Sequence, residues 1–292
     1  MFRPGPNQPP TGTDALRRGT AALRAAGIDD PALEAELLLR HVLGLDKSYF
    51  FLRLPDQLSH EQHRSFLKLL GERAAHKPAA YISGHREFYG LDFRVQPGVL
   101  IPRPETEMLV EQSLALAGYL RDRGKRVRFV DVGTGSGAIA IAVAKHAPEA
   151  GVMATDRSRD ALVIAAYNAR QMRFAGRVKF LEGDLLDPVH GQVDIVAANL
   201  PYIPSAAIES LAPEVKDWEP REALDGGADG LDAIRRLIAC LPVRVRPGGA
   251  AVLEIGYDQG SAVLALTASL GCASTTIVKD LSGFDRVAVI KL

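Results

Sequence analysis

Glycines and acids recur in this chain of 292 residues at spacings that could do chemistry. Phe129-Val-Asp-Val-Gly-Thr-Gly-Ser-Gly137 is an apolar run ending in three glycines, directly before a helical pattern that begins at Ala138. Such a turn lets backbone approach a ligand closely and aims helix N-terminal N–H groups at it, as nucleotide sites require. Gly133, Gly135 and Ala138 also satisfy the dinucleotide template G-x-G-x-x-G/A, so the loop alone leaves the ligand open. Asp156 ends the next apolar run, where a carboxylate can accept both hydroxyls of a ribose. Gly183-Asp184-Leu185 follows the third run and offers a carboxylate and an apolar side chain to an adenine amino group and ring face. Either acid alone reads equally well as a solvated loop residue or a helix cap. Three signals at successive strand ends read as one site.

Ala198-Asn-Leu-Pro-Tyr202 follows the fourth run. It resembles the Asn-Pro-Pro-Tyr signature of methyltransferases that act on planar amino groups. An amide or exocyclic amine delocalises its lone pair into a carbonyl or ring, so it attacks a methyl sulfonium weakly. An Asn side-chain oxygen and a neighbouring backbone carbonyl can accept its two N–H bonds and fix it in line with the methyl group. Orientation and hydrogen bonding then supply most of the catalysis. No strong base is needed, because the methylated nitrogen sheds its proton after transfer. On this reading Asn199, Leu200, Pro201 and Tyr202 bind the acceptor, with Asn199, Pro201 and Tyr202 catalytic and Asn199 also touching the cofactor. Tyr202 packs against the planar group or hydrogen-bonds it. The plainer reading, a turn with a core tyrosine, fits poorly with a position at the end of the fourth strand of a sheet whose first strand already carries the glycine loop. Leu200 stands where a first proline is usual; its carbonyl survives, and Pro201 keeps it extended. The same substitution occurs in rRNA adenine dimethyltransferases, so the tetrapeptide leaves amide and adenine both open.

The elements that must position these residues alternate in type. From Val127 onward short apolar runs (Val127 to Val132, Gly151 to Thr155, Val178 to Glu182, Val193 to Ala197, Ala250 to Ile255) alternate with helical patterns. Those patterns are Ala138 to Lys145, Ser158 to Gln171, Asp229 to Cys240 and Gln259 to Leu270, and the rhythm means parallel strands with crossovers. Two further strands, around Thr275 to Lys279 and Arg286 to Ile290, close the chain. An amphipathic helix from Glu105 to Leu120 precedes the first strand, with prolines at its start. Upstream, Phe88, Tyr89, Leu91, Phe93 and Val95 around Gly90 predict a hairpin. Between Asp14 and His76 apolar residues recur at three and four, which predicts three or four short helices. Asp30-Pro31 marks a start there, Gly44 a stop, and Ser59 with Gln62 a capping box. The expected organisation is a disordered start (1–13), a helical domain (14–78), a hairpin linker (79–103) and a catalytic domain (104–292).

Composition excludes several classes. Lys+Arg and Asp+Glu stand at 35 each, so the chain lacks the basic bias of a free nucleic-acid binder. The two cysteines, Cys240 and Cys272, lie in or beside apolar runs and suit neither a disulfide framework nor a thiolate metal site. The seven histidines show no ligand spacing, so no metal is expected. No apolar stretch reaches membrane-spanning length, and a cytoplasmic protein is expected.

Taken together, the chain resembles the HemK/PrmC family of release-factor glutamine N5-methyltransferases from about Asp14 to Leu292. The resemblance rests on Arg86-Glu-Phe-Tyr-Gly90, Ile101-Pro-Arg-Pro-Glu-Thr-Glu107, the loop Asp131 to Gly137 and Asn199 to Tyr202. It extends to Glu219-Pro-Arg-Glu-Ala-Leu-Asp-Gly-Gly227, Asp229-Gly-Leu231 and Lys279 to Arg286. The segment around Arg103 weighs most against the adenine enzymes. The resemblance implies an α/β fold: a Rossmann-like seven-stranded S-adenosylmethionine-dependent methyltransferase domain, with a small N-terminal helical bundle and a β-hairpin connector. It implies a glutamine of a Gly-Gly-Gln loop in class-1 peptide chain release factors as substrate, S-adenosyl-L-methionine as cofactor and S-adenosyl-L-homocysteine as product. The enzyme would work as a monomer, with the helical module helping to dock the release factor. Cofactor contacts would come from Gly133, Thr134, Gly135, Ser136, Gly137, Asp156, Asp184, Leu185 and Asn199. Family members often carry an aromatic residue at the position of Leu185. Arg103 and Glu105 either line the entrance or clamp hairpin to helix. A ribosomal-protein glutamine and an adenine N6 on RNA or DNA are the alternative acceptors, and a cofactor-binding clamp without activity is the non-enzymatic one.

Overall fold

The computed structural model describes residues 8–124 and 126–292, which divide into two compact units. The first comprises the chain up to Gly84 together with Pro213–Trp218. Its helices are α1 (Gly12–Ala25), α2 (Pro31–Leu43), α3 (Lys47–Arg53), α4 (His60–Ala74) and α5 (Ala79–Ser83). Leu23, Leu38, Leu39, Phe50, Phe66 and Leu70 meet in its core. Leu33, Leu37 and Leu67, which share the helical spacing, are exposed, because only part of each leucine-rich stripe turns inward. The expected caps form: Gly44 ends α2 in a left-handed conformation, and Ser59 and Gln62 bond each other's backbone N–H groups at 3.1 and 2.8 Å.

Two expectations change here. Of the supposedly disordered 1–13, Met1–Asn7 lie outside the described residues, but α1 already starts at Gly12, with the Thr11 hydroxyl accepting the Asp14 N–H at 3.2 Å. The unit also runs past 78, because Pro78 sits at the cap of α5 instead of ending the module, and Ile82 packs on the common core. The hairpin therefore begins at His85, not at 79.

The second unit opens with β1 (His85–Phe88) and β2 (Leu91–Arg94), antiparallel across a turn in which Tyr89 and Gly90 both take positive φ. It continues through α6 (Thr106–Arg121), β3 (Arg128–Val132), α7 (Ala138–His146), β4 (Gly151–Asp156), α8 (Arg159–Gln171), β5 (Val178–Glu182) and β6 (Val193–Ala198). After the short α9 (Pro213–Lys216), which belongs to the first unit, come α10 (Asp232–Arg244), β7 (Val245–Glu254), α11 (Gly260–Ala268), β8 (Ser274–Lys279) and β9 (Asp285–Lys291). The seven long strands form one sheet in the order β5-β4-β3-β6-β7-β9-β8. Pairing is parallel from β5 to β7 and antiparallel on both sides of β9.

Two apolar clusters cover the faces of this sheet. Phe88, Phe93, Leu109, Phe129 and Ile141 belong to one, and Val130, Val196, Leu237, Ile238 and Val263 to the other. All six residues of β6 are buried, as a central strand packed on both faces must be. The expected helix from Asp229 starts instead at Asp232. Asp229-Gly-Leu231 forms a turn in which one Asp229 carboxylate oxygen accepts the Leu231 N–H at 3.1 Å while the other pairs with Arg235 of α10 at 2.6 Å, so the acid stands before the helix and holds the turn to it.

Candidate active site

At the carboxyl ends of β3, β4, β5 and β6 the second unit holds a cavity of about 350 Å³, a size suited to a small-molecule ligand. Strand order reverses beside β3, the place where open parallel sheets form a ligand crevice. Gly133, Gly135, Asp156, Asp184, Leu185, Asn199, Leu200 and Pro201 all line it.

The glycine loop is held from both sides. Asp156 accepts the Gly135 N–H at 2.9 Å through one carboxylate oxygen and the Ser158 N–H at 2.9 Å through the other. Each oxygen keeps a second acceptor position for a ligand hydroxyl. Gly133 has φ +73, and a Cβ there would stand 3.1 Å from Cδ2 of Leu200, so glycine keeps loop and motif from colliding. Thr134 and Ser136 are buried and do not line the cavity, nor does Gly137, which caps α7. The Thr134 hydroxyl donates to the buried Asp131 carboxylate at 2.6 Å, and the Ser136 carbonyl accepts from Asn168 at 2.9 Å. Burial pushes Asp131 up to about 7 against the pull of its two hydrogen bonds. Asp184 pairs with Arg236, also at the cavity wall, and Leu185 takes a positive φ while leaning on the second apolar cluster.

The Asn199 motif leaves β6 and is tied on every side. Asn199 donates from Nδ2 to the Thr106 hydroxyl at 3.1 Å. Tyr202 does not line the cavity; its hydroxyl donates to Glu254 at 3.3 Å, and burial beside that carboxylate raises its pKa. Glu254 ends β7, is buried, and is pushed up to about 7 mainly by that burial; the side chains of Thr106 and Tyr202 hydrogen-bond it. Arg103 pairs with the buried Glu219, which also accepts the Ile101 N–H at 3.1 Å. Arg103 is thus part of a clamp on the segment before α6 and is absent from the cavity wall. Trp218 belongs to the helical unit, where the Lys77 ammonium stands 5.9 Å from its ring centre.

Sequence reasoning missed Thr106, Glu219 and Glu254. The signal for Glu254 was present, an acid closing an apolar strand, the same signal that singled out Asp156. Pro220, Glu222 and Gly226 to Gly227, from the stretch between the motif and α10, also belong to the wall.

The PrmC N-terminal domain matches residues 14–84, and the methyltransferase small domain matches residues 107–213. A release factor glutamine methyltransferase of Moorella thermoacetica is 43% identical over 274 residues, covering 93% of this chain and 95% of that protein. The chain belongs to the release factor glutamine methyltransferase family. A second member, from Cereibacter sphaeroides, is 41% identical over 96% of this chain and 98% of its own length. Among solved structures, the hMettl16 catalytic domain in complex with MAT2A 3'UTR hairpin 6 has a TM-score of 0.57 at 16% identity, covering 75% of this chain and 81% of that one. The N-terminal domain of human METTL16 in complex with SAH has a TM-score of 0.51 at 16% identity, covering 70% and 76%. At such identity the likeness carries the fold alone, that of an S-adenosylmethionine-dependent methyltransferase.

Proposed function

We propose that this chain methylates the N5 side-chain amide nitrogen of the glutamine in the Gly-Gly-Gln motif of class-1 peptide chain release factors. The observation that carries the reading is Asn199-Leu-Pro-Tyr202 at the mouth of β6, beside a cavity shaped by Gly133, Gly135 and Asp156, in a chain of this family. S-adenosyl-L-methionine, when bound, supplies an electrophilic methyl group on a sulfonium and leaves as S-adenosyl-L-homocysteine. Gly133 and Gly135 with their loop, Asp156, Asp184, Leu185 and Asn199 would hold it. Asp156 retains acceptor positions for ribose hydroxyls, and Leu185 offers an apolar face to adenine.

Asn199 does the orienting. Its Oδ1, together with the Leu200 carbonyl, accepts the two N–H bonds of the glutamine amide and points the nitrogen lone pair at the methyl carbon. As the N–C bond forms and the C–S bond breaks, the nitrogen becomes cationic and gives its extra proton to solvent. Pro201 and Tyr202 fix the loop that presents these acceptors. The helical unit docks the release factor, no free nucleic acid or membrane takes part, and the enzyme acts as a cytoplasmic monomer.

The test is mass spectrometry of an unmodified release factor incubated with this protein and S-adenosyl-L-methionine. One added methyl on the Gly-Gly-Gln glutamine, absent with Asn199→Ala, supports the reading. Methylation of a ribosomal-protein glutamine or an RNA adenine in its place would overturn it.

A further inference from the structure

Asn199 can serve an amide only if its own amide is the right way round. A side-chain amide offers a carbonyl oxygen at one end and an amino group at the other, and the two ends are nearly equal in shape. Presented oxygen-first, Asn199 accepts an N–H of the acceptor; presented nitrogen-first, it meets that N–H donor to donor. The decision lies behind the motif.

Asn199 Nδ2 reaches the Thr106 hydroxyl at 3.1 Å. Thr106 is the first residue of α6, buried, and its side chain also hydrogen-bonds Glu254. Glu254 takes the Tyr202 hydroxyl at 3.3 Å on Oε1. Its Oε2 is buried without a hydrogen-bond partner. An ionised carboxylate only accepts. Thr106 has one O–H, and spends it on Glu254. Its oxygen is then left as an acceptor, and only the amino end of Asn199 can satisfy it.

We propose that Glu254 and Thr106 are positioning residues that set the polarity of Asn199: the carboxylate turns the threonine hydroxyl, and the hydroxyl turns the amide so that its oxygen faces the acceptor. The inference rests on the amide-methylation reading above. The same carboxylate holds the Tyr202 hydroxyl, so both ends of the motif are referred to one buried charge. The titratable and charged groups around Glu254 are Tyr202 from the motif, Glu105 from the start of α6 and Arg286 from β9. Arg103 bears on Tyr202 as well. Arg286 is itself paired with Asp280 at 2.8 Å, so its charge is shared. When Glu254 takes up a proton it can donate to Thr106 in place of accepting, and the amide is free to reverse.

Two measurements on the full chain test this. The first is methyl transfer to a release factor. Thr106→Val should lower kcat by roughly 10- to 100-fold with little change in KM for S-adenosyl-L-methionine, the usual cost of a displaced orienting group, and Thr106→Ser should restore most of it. Wild-type kcat should rise with pH through about 7, where Glu254 ionises, and Glu254→Gln should be slow with that rise lost. The second needs no substrate. The side-chain ¹⁵N–¹H signals of Asn199 should shift with pH over the same range in the wild type, and stay flat in Glu254→Gln and Thr106→Val. Folded Thr106→Val with kcat within twofold of wild type, or Asn199 signals and a pH profile that Glu254→Gln leaves unchanged, would overturn the proposal. A wild-type protein that methylates no release factor sinks the substrate reading instead, and the Asn199 signals still decide the relay.

Discussion

Gln259 and Tyr202 are joined directly: the Gln259 side-chain amide donates to the Tyr202 backbone carbonyl at 3.0 Å. The same nitrogen donates to the Gly230 carbonyl at 3.2 Å, while the oxygen accepts the Gly256 N–H at 2.8 Å. One buried side chain at the cap of α11 therefore gathers the motif after β6, the turn before α10 and the loop after β7.

Gln259→Leu keeps the volume and removes all three bonds. Buried groups left without partners cost about 1–3 kcal/mol each, so the variant should lose on the order of 3 kcal/mol in urea unfolding. Its kcat for methyl transfer should fall more than its affinity for S-adenosyl-L-methionine, measured by calorimetry, because the displaced backbone carries the acceptor motif.

Gly230 lets that backbone come close. It has φ +77, and a Cβ there would stand 2.4 Å from the Tyr202 carbonyl oxygen. Gly230→Ala should destabilise by at least about 2 kcal/mol, through backbone strain and collision together. Gly71, exposed within α4 with nothing within 4 Å of an added Cβ, is the contrast. Gly71→Ala should stabilise by about 0.5–1 kcal/mol, as helix propensity dictates. Paired thermal melts of the two variants check both signs.

Asp131 and Glu254 tie stability to pH in an unusual direction. Their carboxyls ionise near 3.8 and 4.5 when unfolded but only at about 7 in the folded protein. Between those values the folded state holds protons that the unfolded state has lost, so stability falls as pH rises, by about 1.4 kcal/mol per unit for each group. Above about 7 the loss is complete and constant. Asp225, Asp229 and Asp280 act oppositely, since hydrogen bonds from Ser205, Arg235 and Arg286 lower their pKa values, and their contribution is lost only as pH falls below the ordinary 3.8. Ligand-free Asp131→Asn and Glu254→Gln should therefore show a smaller drop in Tm between pH 5 and pH 7.5 than the wild type. An unchanged slope in both variants would contradict the assignment.

Within the helical unit Arg73 is 2% exposed and pairs with Glu34 at 3.0 Å and with Glu214 at 2.6 Å. Arg73→Leu removes both bonds at once, although the two glutamates keep some contact with water. A loss on the order of 2–3 kcal/mol is expected in denaturant unfolding, below the full cost of a stranded buried charge. Limited proteolysis should cut near Pro213–Trp218 sooner in the variant.

The alternation of strands and helices was legible because each parallel strand is a short apolar run between polar turns. Helix boundaries slipped where a local signal had two uses. Pro78 opens α5 although it reads as a stop, and Asp229 caps a turn although it reads as a helix start. Which strands adjoin was not legible: β9 inserts antiparallel between β7 and β8, and that pairing depends on contacts far apart in sequence. Within the site, Gly133, Asp156 and Asn199 announce themselves by motif. Thr106, within the stretch Ile101 to Glu107, and Glu254, an acid closing an apolar strand, do not declare their partnership, because it lies in their mutual approach across 148 positions of chain.

The segment Pro213–Trp218 gives the helical unit a second, distant source in the sequence. A chimaera that exchanges only residues up to Gly84 between two relatives would separate Arg73 from its Glu214, and leave Trp218 facing a foreign Lys77 position. The unit of inheritance is therefore not a contiguous cassette. Drift in the helices has to be matched by drift in six residues encoded far downstream, inside the stretch that also leads away from the acceptor motif.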